Sequence, residues 1–542
     1  MSGNISASSL VLSLLKPTLL LAICFISYKS FRFFNRRRHY KKLAKAWGCA
    51  PPKAMKVKDP VFGLDLLRKV LKDLANHCLL EENQKAFKKL QANTISIMSQ
   101  YRVITTTEPE NVKCILATKF KDFKIDDNRK KALIPIIGEG IFTSDGQAWE
   151  HSRGLLKPQF ARAQFDDAEL FDKHADNLIK AIPRNGEEVD LQPLLGSAGL
   201  DIVTEFLFGH STGSLDPERL KNGSTTKSGA EKFYEAFAYL VQGINGQNSR
   251  FGVLGLFLPD WTTKKHVKIM HNFVDEIIET AVAEQKKSSA SLDSKPQRYT
   301  LLSELVKSTD YSQEVSRERL RSELLNILLA GRDTTDSLIS NISFVLSQRP
   351  DILAKLQQEI SDSDIPLTPS FSQIKSLQYL RAVINESERL YPNVPENNRQ
   401  AATDTILPLG GGPDEKAPVF VAKGTLVAWS VYTMQRRKDL YGDDADEFKP
   451  ERWLDIKGGE EGEGGGGEKK GLRVSWEYLP FHGGPRVCLG QQFALMEVSY
   501  LTVKIVREFK TIEAVEKRPW REKIGIVATI DGGVKVKVKP WT

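Results

Sequence analysis

Close to the C-terminus, FHGGPRVCLGQQFALMEVSY (Phe481–Tyr500) sets a cysteine among glycines, just ahead of an apolar helical pattern. The thiolate, not the thiol, is the metal ligand and nucleophile, and a helix N-terminus favours the anion through its N–H groups and dipole. Cys488, before a helix predicted to begin near Leu489 or Gly490, is therefore expected to carry thiolate character. Gly484 and Gly490 lack the Cβ that would keep a flat ligand at a distance, and Arg486 offers a guanidinium suited to a carboxylate. The five cysteines (Cys24, Cys49, Cys78, Cys114 and Cys488) are widely spaced, with no CxxC pair. That argues against a disulfide framework or a zinc cluster and points to a reducing compartment. A single thiolate without Cys or His neighbours can still serve as the one axial ligand of a haem iron.

Other stretches carry compatible chemistry. In AGRDTT, Thr334 can bond back to the carbonyl of Ala330 and bend its helix, while Gly331 removes bulk at the same place. The resulting gap suits dioxygen and water, and Asp333 and Thr334 can pass protons. In AWEHSR, Trp149 and Arg153 lie one turn apart on a predicted helix; Trp149 also reads as an ordinary core aromatic. ESER puts Glu386 and Arg389 at i, i+3, and FKPERW supplies Arg452 as a second cation for one carboxylate. ESER alone equally reads as a surface ion pair.

Taken together these motifs resemble the cytochrome P450 family. Phe481-x-x-Gly484-x-Arg486-x-Cys488-x-Gly490 is similar to its haem-binding signature at every defining position. The resemblance implies haem b with Cys488 as the axial ligand of iron, and an oxygen-activation motif at Ala330, Gly331, Asp333 and Thr334. It further implies propionate contacts from Trp149, Arg153, Arg399 and Arg486, and a structural triad of Glu386, Arg389 and Arg452. The implied activity is monooxygenation of an apolar small molecule with O2. Electrons are expected from NADPH through the flavins of a separate NADPH–cytochrome P450 reductase, since no dinucleotide fingerprint precedes Cys488.

GIFTSDGQAWEHSRGLLKPQF, VTEFLFGHSTGSL, NESERLYPNVPENNRQAATDTILPLGGG and CLGQQFALMEVSYLTVKIVREF look like the fungal branch that hydroxylates terminal carbons of alkanes and fatty acids. Tailoring of a fungal secondary metabolite uses the same motifs and stays open. So does a haem sensor or haem-thiolate isomerase, although the relay at Asp333 and Thr334 argues against these. The chain departs from many relatives at Gln435, a position often histidine, and at His482, commonly small or an amide.

The elements that must position these residues are mostly helical. Ser316–Gln348 carries helical patterning, apolar nearly all round from Leu324 to Ala330, as expected of a helix through the interior. Pro350 fits the first turn of the next helix, and another is predicted over roughly Leu377–Leu390. KIGIVATIDGGVKVKVKP reads as a strand, a tight Asp-Gly-Gly turn and an alternating strand. Gly213–Ser228, Gln285–Gln297 and the Gly/Glu/Lys-only insertion at 457–471 read as loops, the last disordered. Substrate contacts are expected between Phe120 and Ile141, near Phe237 and around Leu328–Thr335. The fold expectation is mainly α with small β-sheets, a catalytic domain over 51–542 behind an anchor and linker over 1–50.

That anchor is SLVLSLLKPTLLLAICFISY, Ser9–Tyr28. As a helix it spans roughly 30 Å, the thickness of a bilayer core. Lys16 opposes insertion by about 2.5–3.5 kcal/mol at a helix centre, less if it snorkels; a monotopic segment is the alternative. The basic stretch KSFRFFNRRRHYKKLAK follows, placing the catalytic domain in the cytosol beside a single-pass helix in the endoplasmic reticulum membrane. It contributes to a net charge of +9, which suits a lipid surface; no basic run with interleaved aromatics points to nucleic acid in the globular part.

Overall fold

The structure, a computed structural model, describes residues 35–541 apart from 60–62, 99–101, 163–167, 216–228, 230–231, 234, 241–260, 290–299, 308–313 and 456–470, together with 24, 27–28 and 31–32. Most of the Ser9–Tyr28 segment, most of the Gly213–Ser228 stretch and all but Gly471 of the 457–471 insertion lie outside the described residues. Among the described residues no helix is long and apolar enough to cross a membrane.

Eight helices frame the site: α1 (Asp127–Ile137), α2 (Gly146–Arg162), α3 (Leu191–Phe208), α4 (Trp261–Ser289), α5 (Glu314–Gln348), α6 (Pro350–Asp362), α7 (Gln378–Leu390) and α8 (Gln491–Glu508). Helix α5 runs through the main core, as its all-round apolar pattern demands, with Leu324, Leu325 and Leu328 at or near zero exposure. Its burial relaxes at Ala330 to Thr334, the stretch whose residue types suit oxygen chemistry. Pro350 opens α6 at its first turn, where a missing N–H costs nothing. Helix α4 continues to Ser289, so Gln285–Ser289, expected as loop, is helical, while residues 290–297 of that expected loop lie outside the described residues. Its Ser/Lys composition does not oppose helix, because Lys and Gln are good helix formers.

Among the described residues, strands form four small sheets. The largest has the order β1-β2-β3-β9-β6-β4, from β1 (Lys53–Met55), β2 (Thr94–Met98), β3 (Arg102–Thr106), β4 (Phe123–Lys124), β6 (Glu396–Ala401) and β9 (Leu426–Ser430). A second joins β10 (Phe509–Ala514), β13 (Lys535–Pro540) and β5 (Glu188–Asp190). The hairpins are β7 (Thr405–Gly411) with β8 (Ala417–Val421), and β11 (Glu522–Ile524) with β12 (Ala528–Ile530). The C-terminal stretch departs from the hairpin its sequence suggests. KIGIVATI is two strands broken at Gly525, and the Asp-Gly-Gly turn joins strands of different sheets. Gly532 and Gly533 both take positive φ (73° and 76°), so the chain leaves one sheet for another where a side chain at Gly533 would strike Asp190. Strand β13 does alternate buried and exposed, as its sequence indicates.

Candidate active site

Cys488 lies in an irregular loop, its N–H donating to the Phe481 carbonyl at 3.0 Å while Val487 N–H donates to Gly484 at 3.0 Å. Helix α8 begins only at Gln491, with Gly490 as its N-cap, later than expected. The thiol is exposed, yet set deeply enough that burial pushes it above its usual range. The Gly490 N–H and the Arg153 guanidinium pull the other way and do not win. The expected helix-end stabilisation is therefore outweighed by desolvation, and a bound cation is what would complete the thiolate.

Gly484 and Gly331 also have packing roles. Gly484 has φ +66°, and a Cβ there would lie 2.0 Å from the Leu116 carbonyl oxygen. Its smallness serves the packing of the cysteine loop against the Cys114–Thr118 turn. Gly490 has room, since a Cβ there would meet the Phe160 ring at 3.6 Å, an ordinary contact. Gly331 faces α3, where a Cβ would meet Val203 Cγ2 at 2.8 Å, so it permits close approach of two helices.

On α5, Thr334 Oγ1 donates to the Ala330 carbonyl at 2.8 Å, as the sequence predicts, and Thr335 Oγ1 does the same to Gly331 at 2.8 Å. The helix nevertheless continues unbroken to Gln348. Burial raises the pKa of Asp333, opposed by Arg332, whose Nη1 is 3.0 Å from Asp333 Oδ1. Phe237 is fully buried beneath the Arg332 guanidinium (5.9 Å to the ring centroid). Residue 332 is about 200° round the helix from residue 330, so Phe237 packs on the side opposite Ala330 and Thr334.

Four guanidiniums gather near the cysteine loop. Arg486 donates to the carbonyls of Ile141 (3.1 Å) and Ser144 (2.8 Å) and pairs with Asp145 at 2.8 Å. Its guanidinium stacks over Trp149 at 4.5 Å, and Arg153 bonds the Val487 carbonyl at 3.0 Å. Arg399, on β6, is opposite Val427 in register and lies over the ring of Trp429 on the neighbouring strand β9, at 5.6 Å. Arg129, from α1, donates to Asn397 Oδ1 at 2.9 Å. Burial, then repulsion from Arg129 and Arg486, lowers Arg399 to about 9. Burial foremost, with repulsion from Arg153 and Arg129 against the pull of Asp145, lowers Arg486 to about 10. Among the described residues, only Arg486 of these four has a carboxylate within ion-pair distance. A cluster of buried and half-buried cations with one carboxylate partner fits a dianionic ligand, such as the two propionates of haem, and a lone sulfur nearby fits its iron.

The triad forms around Glu386. Arg389 reaches both of its oxygens at 2.8 Å, Arg452 Nε reaches Oε1 at 2.9 Å, and Trp453 Nε1 and the Lys449 N–H add two more bonds. Glu386 and Arg389 have no exposure, so the surface-pair reading of ESER is excluded. Gln435, at the position often histidine in relatives, is fully satisfied: its Nε2 donates to the Glu388 and Arg389 carbonyls and its Oε1 accepts from Leu479 N–H. It ties the end of α7 to the approach of the cysteine loop.

Sequence reasoning did not single out Arg129, Asp145 or the contact made by His482. Asp145 stands in the TSDG stretch, and a carboxylate eight residues before Arg153 was the available signal.

Comparison with known proteins agrees with this geometry. The sequence profile described as Cytochrome P450 matches residues 67–538. Cytochrome P450 monooxygenase himC of Aspergillus japonicus is 39% identical, covering 93% of this chain and 86% of its own. Cytochrome P450 52E1 of Candida apicola (38%; 91% and 93%) and cytochrome P450 52A5 of Candida maltosa (38%; 90% and 90%) are similar along comparable lengths. The profile spans most of the chain and these relatives cover about nine-tenths of it, so the chain belongs to the cytochrome P450 family of haem-thiolate monooxygenases.

Proposed function

We propose that the protein hydroxylates the terminal carbon of long-chain alkanes or fatty acids, with Cys488 as the residue that would hold haem iron. What supports the substrate class is the similarity to cytochromes P450 52E1 and 52A5 over nine-tenths of this chain, together with the four fungal-branch stretches. Haem, when bound, supplies oxygen activation, one atom of O2 going to substrate and the other leaving as water, with two electrons from NADPH through a reductase. The protein positions and proton-handles. Arg399, Arg486 and Arg153, with Trp149, would hold the propionate edge of haem, and the Glu386 cluster keeps the cysteine loop in place. Thr334 and Asp333 move protons, the carboxyl helped by burial that lets it hold a proton nearer neutral pH.

Thr334→Ala is expected to lower product formed per NADPH severalfold and to release peroxide, while substrate still binds. Measured coupling equal to wild type would remove the relay. Substrate class is tested by a binding-spectrum screen of alkanes, fatty acids and their alcohols, followed by product analysis. Terminal alcohols support the reading, and exclusive turnover of polycyclic or terpenoid compounds would favour a tailoring oxidase.

Residues 1–50 act in this reading as a single-pass anchor and linker in the endoplasmic reticulum membrane, the catalytic domain, 51–542, facing the cytosol and a membrane-bound NADPH–cytochrome P450 reductase. Arg36, Arg37, Arg38, Lys41, Lys42 and Lys45 are all exposed on the helical residues 35–46, as a segment beside anionic lipid requires. The same segment holds the body: Tyr40 and Trp47 pack on Phe420 at 5.5 and 5.6 Å, and Arg36 reaches the Lys423 carbonyl. Deleting residues 1–28 should therefore release a haem-loaded protein from membranes on flotation. Continued tight attachment would place the anchor elsewhere.

A further inference from the structure

His482 sits beside Phe481 in the cysteine loop with φ +64°, a left-handed conformation that a non-glycine residue adopts at a cost. The surrounding contacts account for its being held there. Its Nε2 lies 3.2 Å from Arg399 Nη2, and its Nδ1 lies 3.0 Å from the Gly483 carbonyl oxygen. A guanidinium only donates and a carbonyl only accepts, so the ring carries its hydrogen on Nδ1 and presents a lone pair at Nε2. Its edge meets Trp429 of β9 (5.9 Å, 67°), the same indole that supports Arg399. Arg399 Nη1 is meanwhile tied to the Asn398 carbonyl at 2.7 Å, so the guanidinium is held from two sides, by β6 and by the cysteine loop.

We propose that neutral His482 is a haem-positioning residue, accepting the Arg399 hydrogen bond so as to fasten the cysteine loop to β6 and aim that guanidinium at a haem propionate. The inference rests on the haem reading. Protonating Nε2 removes the acceptor and sets one cation against another. The charged groups facing the ring are Arg399 from β6, Arg129 from α1 and Arg486 from its own loop, with Asp145 paired to Arg486; Trp429 faces it from β9. Burial first, then Arg399, hold the imidazole down at about 3, with the Gly483 carbonyl opposing.

A histidine at about 3 in the closed site and near its ordinary 6.5 once the loop opens resists protonation only while closed. The latch is at full strength above pH 6.5 and weakens as pH falls below it, by up to about tenfold per pH unit in the closed-to-open ratio.

The experiment follows haem transfer from holoenzyme to excess apomyoglobin between pH 7.5 and 5.5, for wild type, His482→Asn and His482→Phe. Asparagine tolerates left-handed φ and offers a non-titrating acceptor, whereas phenylalanine keeps a ring for Trp429 and offers none. His482→Phe is expected to lose haem severalfold faster at pH 7.5. His482→Asn should lie between Phe and wild type at pH 7.5, and should lack the part of the acid acceleration that wild type shows. Thiolate and propionate protonation are common to all three proteins and cancel in this comparison. Identical pH profiles for wild type and His482→Asn overturn the proposal, as does a wild-type transfer rate in His482→Phe. Should His482→Phe not load haem, the wild-type and Asn profiles decide alone. The haem reading itself fails differently, through absence of the thiolate carbon monoxide band in wild type.

Discussion

Cys488→Ala is expected to abolish the red-shifted carbon monoxide band of ferrous haem-thiolate, and turnover with it. The cysteine loop has no second sulfur: Cys114, on the turn against which that loop packs, is buried and points its thiol at the Ile406 carbonyl (3.5 Å). Haem should still be captured in part, because the cluster of Arg153, Arg399 and Arg486 is untouched. The visible spectrum should then be that of a haem without sulfur ligation, and persistence of the band would show that another atom binds the iron. The wild-type protein carries a matching pH signature. Burial raises the Cys488 thiol, so the metal-free site holds a proton that haem binding must release. Haem uptake by apoprotein should weaken as pH falls, by up to about tenfold per unit, and release one proton per haem at neutral pH. Cys488→Ala should lose that dependence.

Glu386→Ala should cost about 3–5 kcal/mol, the range for breaking a buried ion pair by removing one partner. Against a typical total of about 5–15 kcal/mol, that removes between about a fifth and all of the stability. The reason is the fully buried Arg389, whose other donors already go to the carbonyls of Gln435, Ala445 and Glu447. Arg452, Trp453 Nε1 and the Lys449 N–H lose an acceptor in the same event. Glu386→Gln keeps an acceptor and should be milder. Urea midpoints and the yield of haem-loaded protein measure both; a midpoint within experimental error of wild type for the alanine variant would show the cluster to be dispensable. Arg389→Lys should also be costly, since an ammonium cannot span a bidentate carboxylate and three carbonyls at once.

What could be read beforehand was whatever a local rule encodes. The interior helix α5 was visible because Leu324 to Ala330 has no polar face, and α6 because proline is tolerated at a first turn. The Thr334 to Ala330 bond follows from i, i−4 geometry. Partners distant in sequence were out of reach. Nothing local tells that β12 and β13, separated by a turn, pair with β11 and β10 instead of with each other. The reason for Gly484 lies at Leu116, and that for Gly331 at Val203, both far away along the chain. The cation cluster was half legible, since Arg153, Arg399 and Arg486 follow from motifs, while Arg129 enters only through the asparagines of β6. For the Cys488 thiol only the helix-end contribution was legible, because a helix end is local and desolvation is not.

The helical lead-in over residues 35–46 bears on how the body moves. Tyr40 and Trp47 clasp Phe420, Ala50 N–H bonds Pro418, and Gly412 N–H bonds Pro51, so the segment is riveted to the β7–β8 hairpin over its whole exit. A tether fastened this way transmits torque. In the proposed membrane-anchored arrangement, the angle at which the chain enters residue 35 would set the heading of the catalytic body, and added length upstream would change its reach without changing that heading.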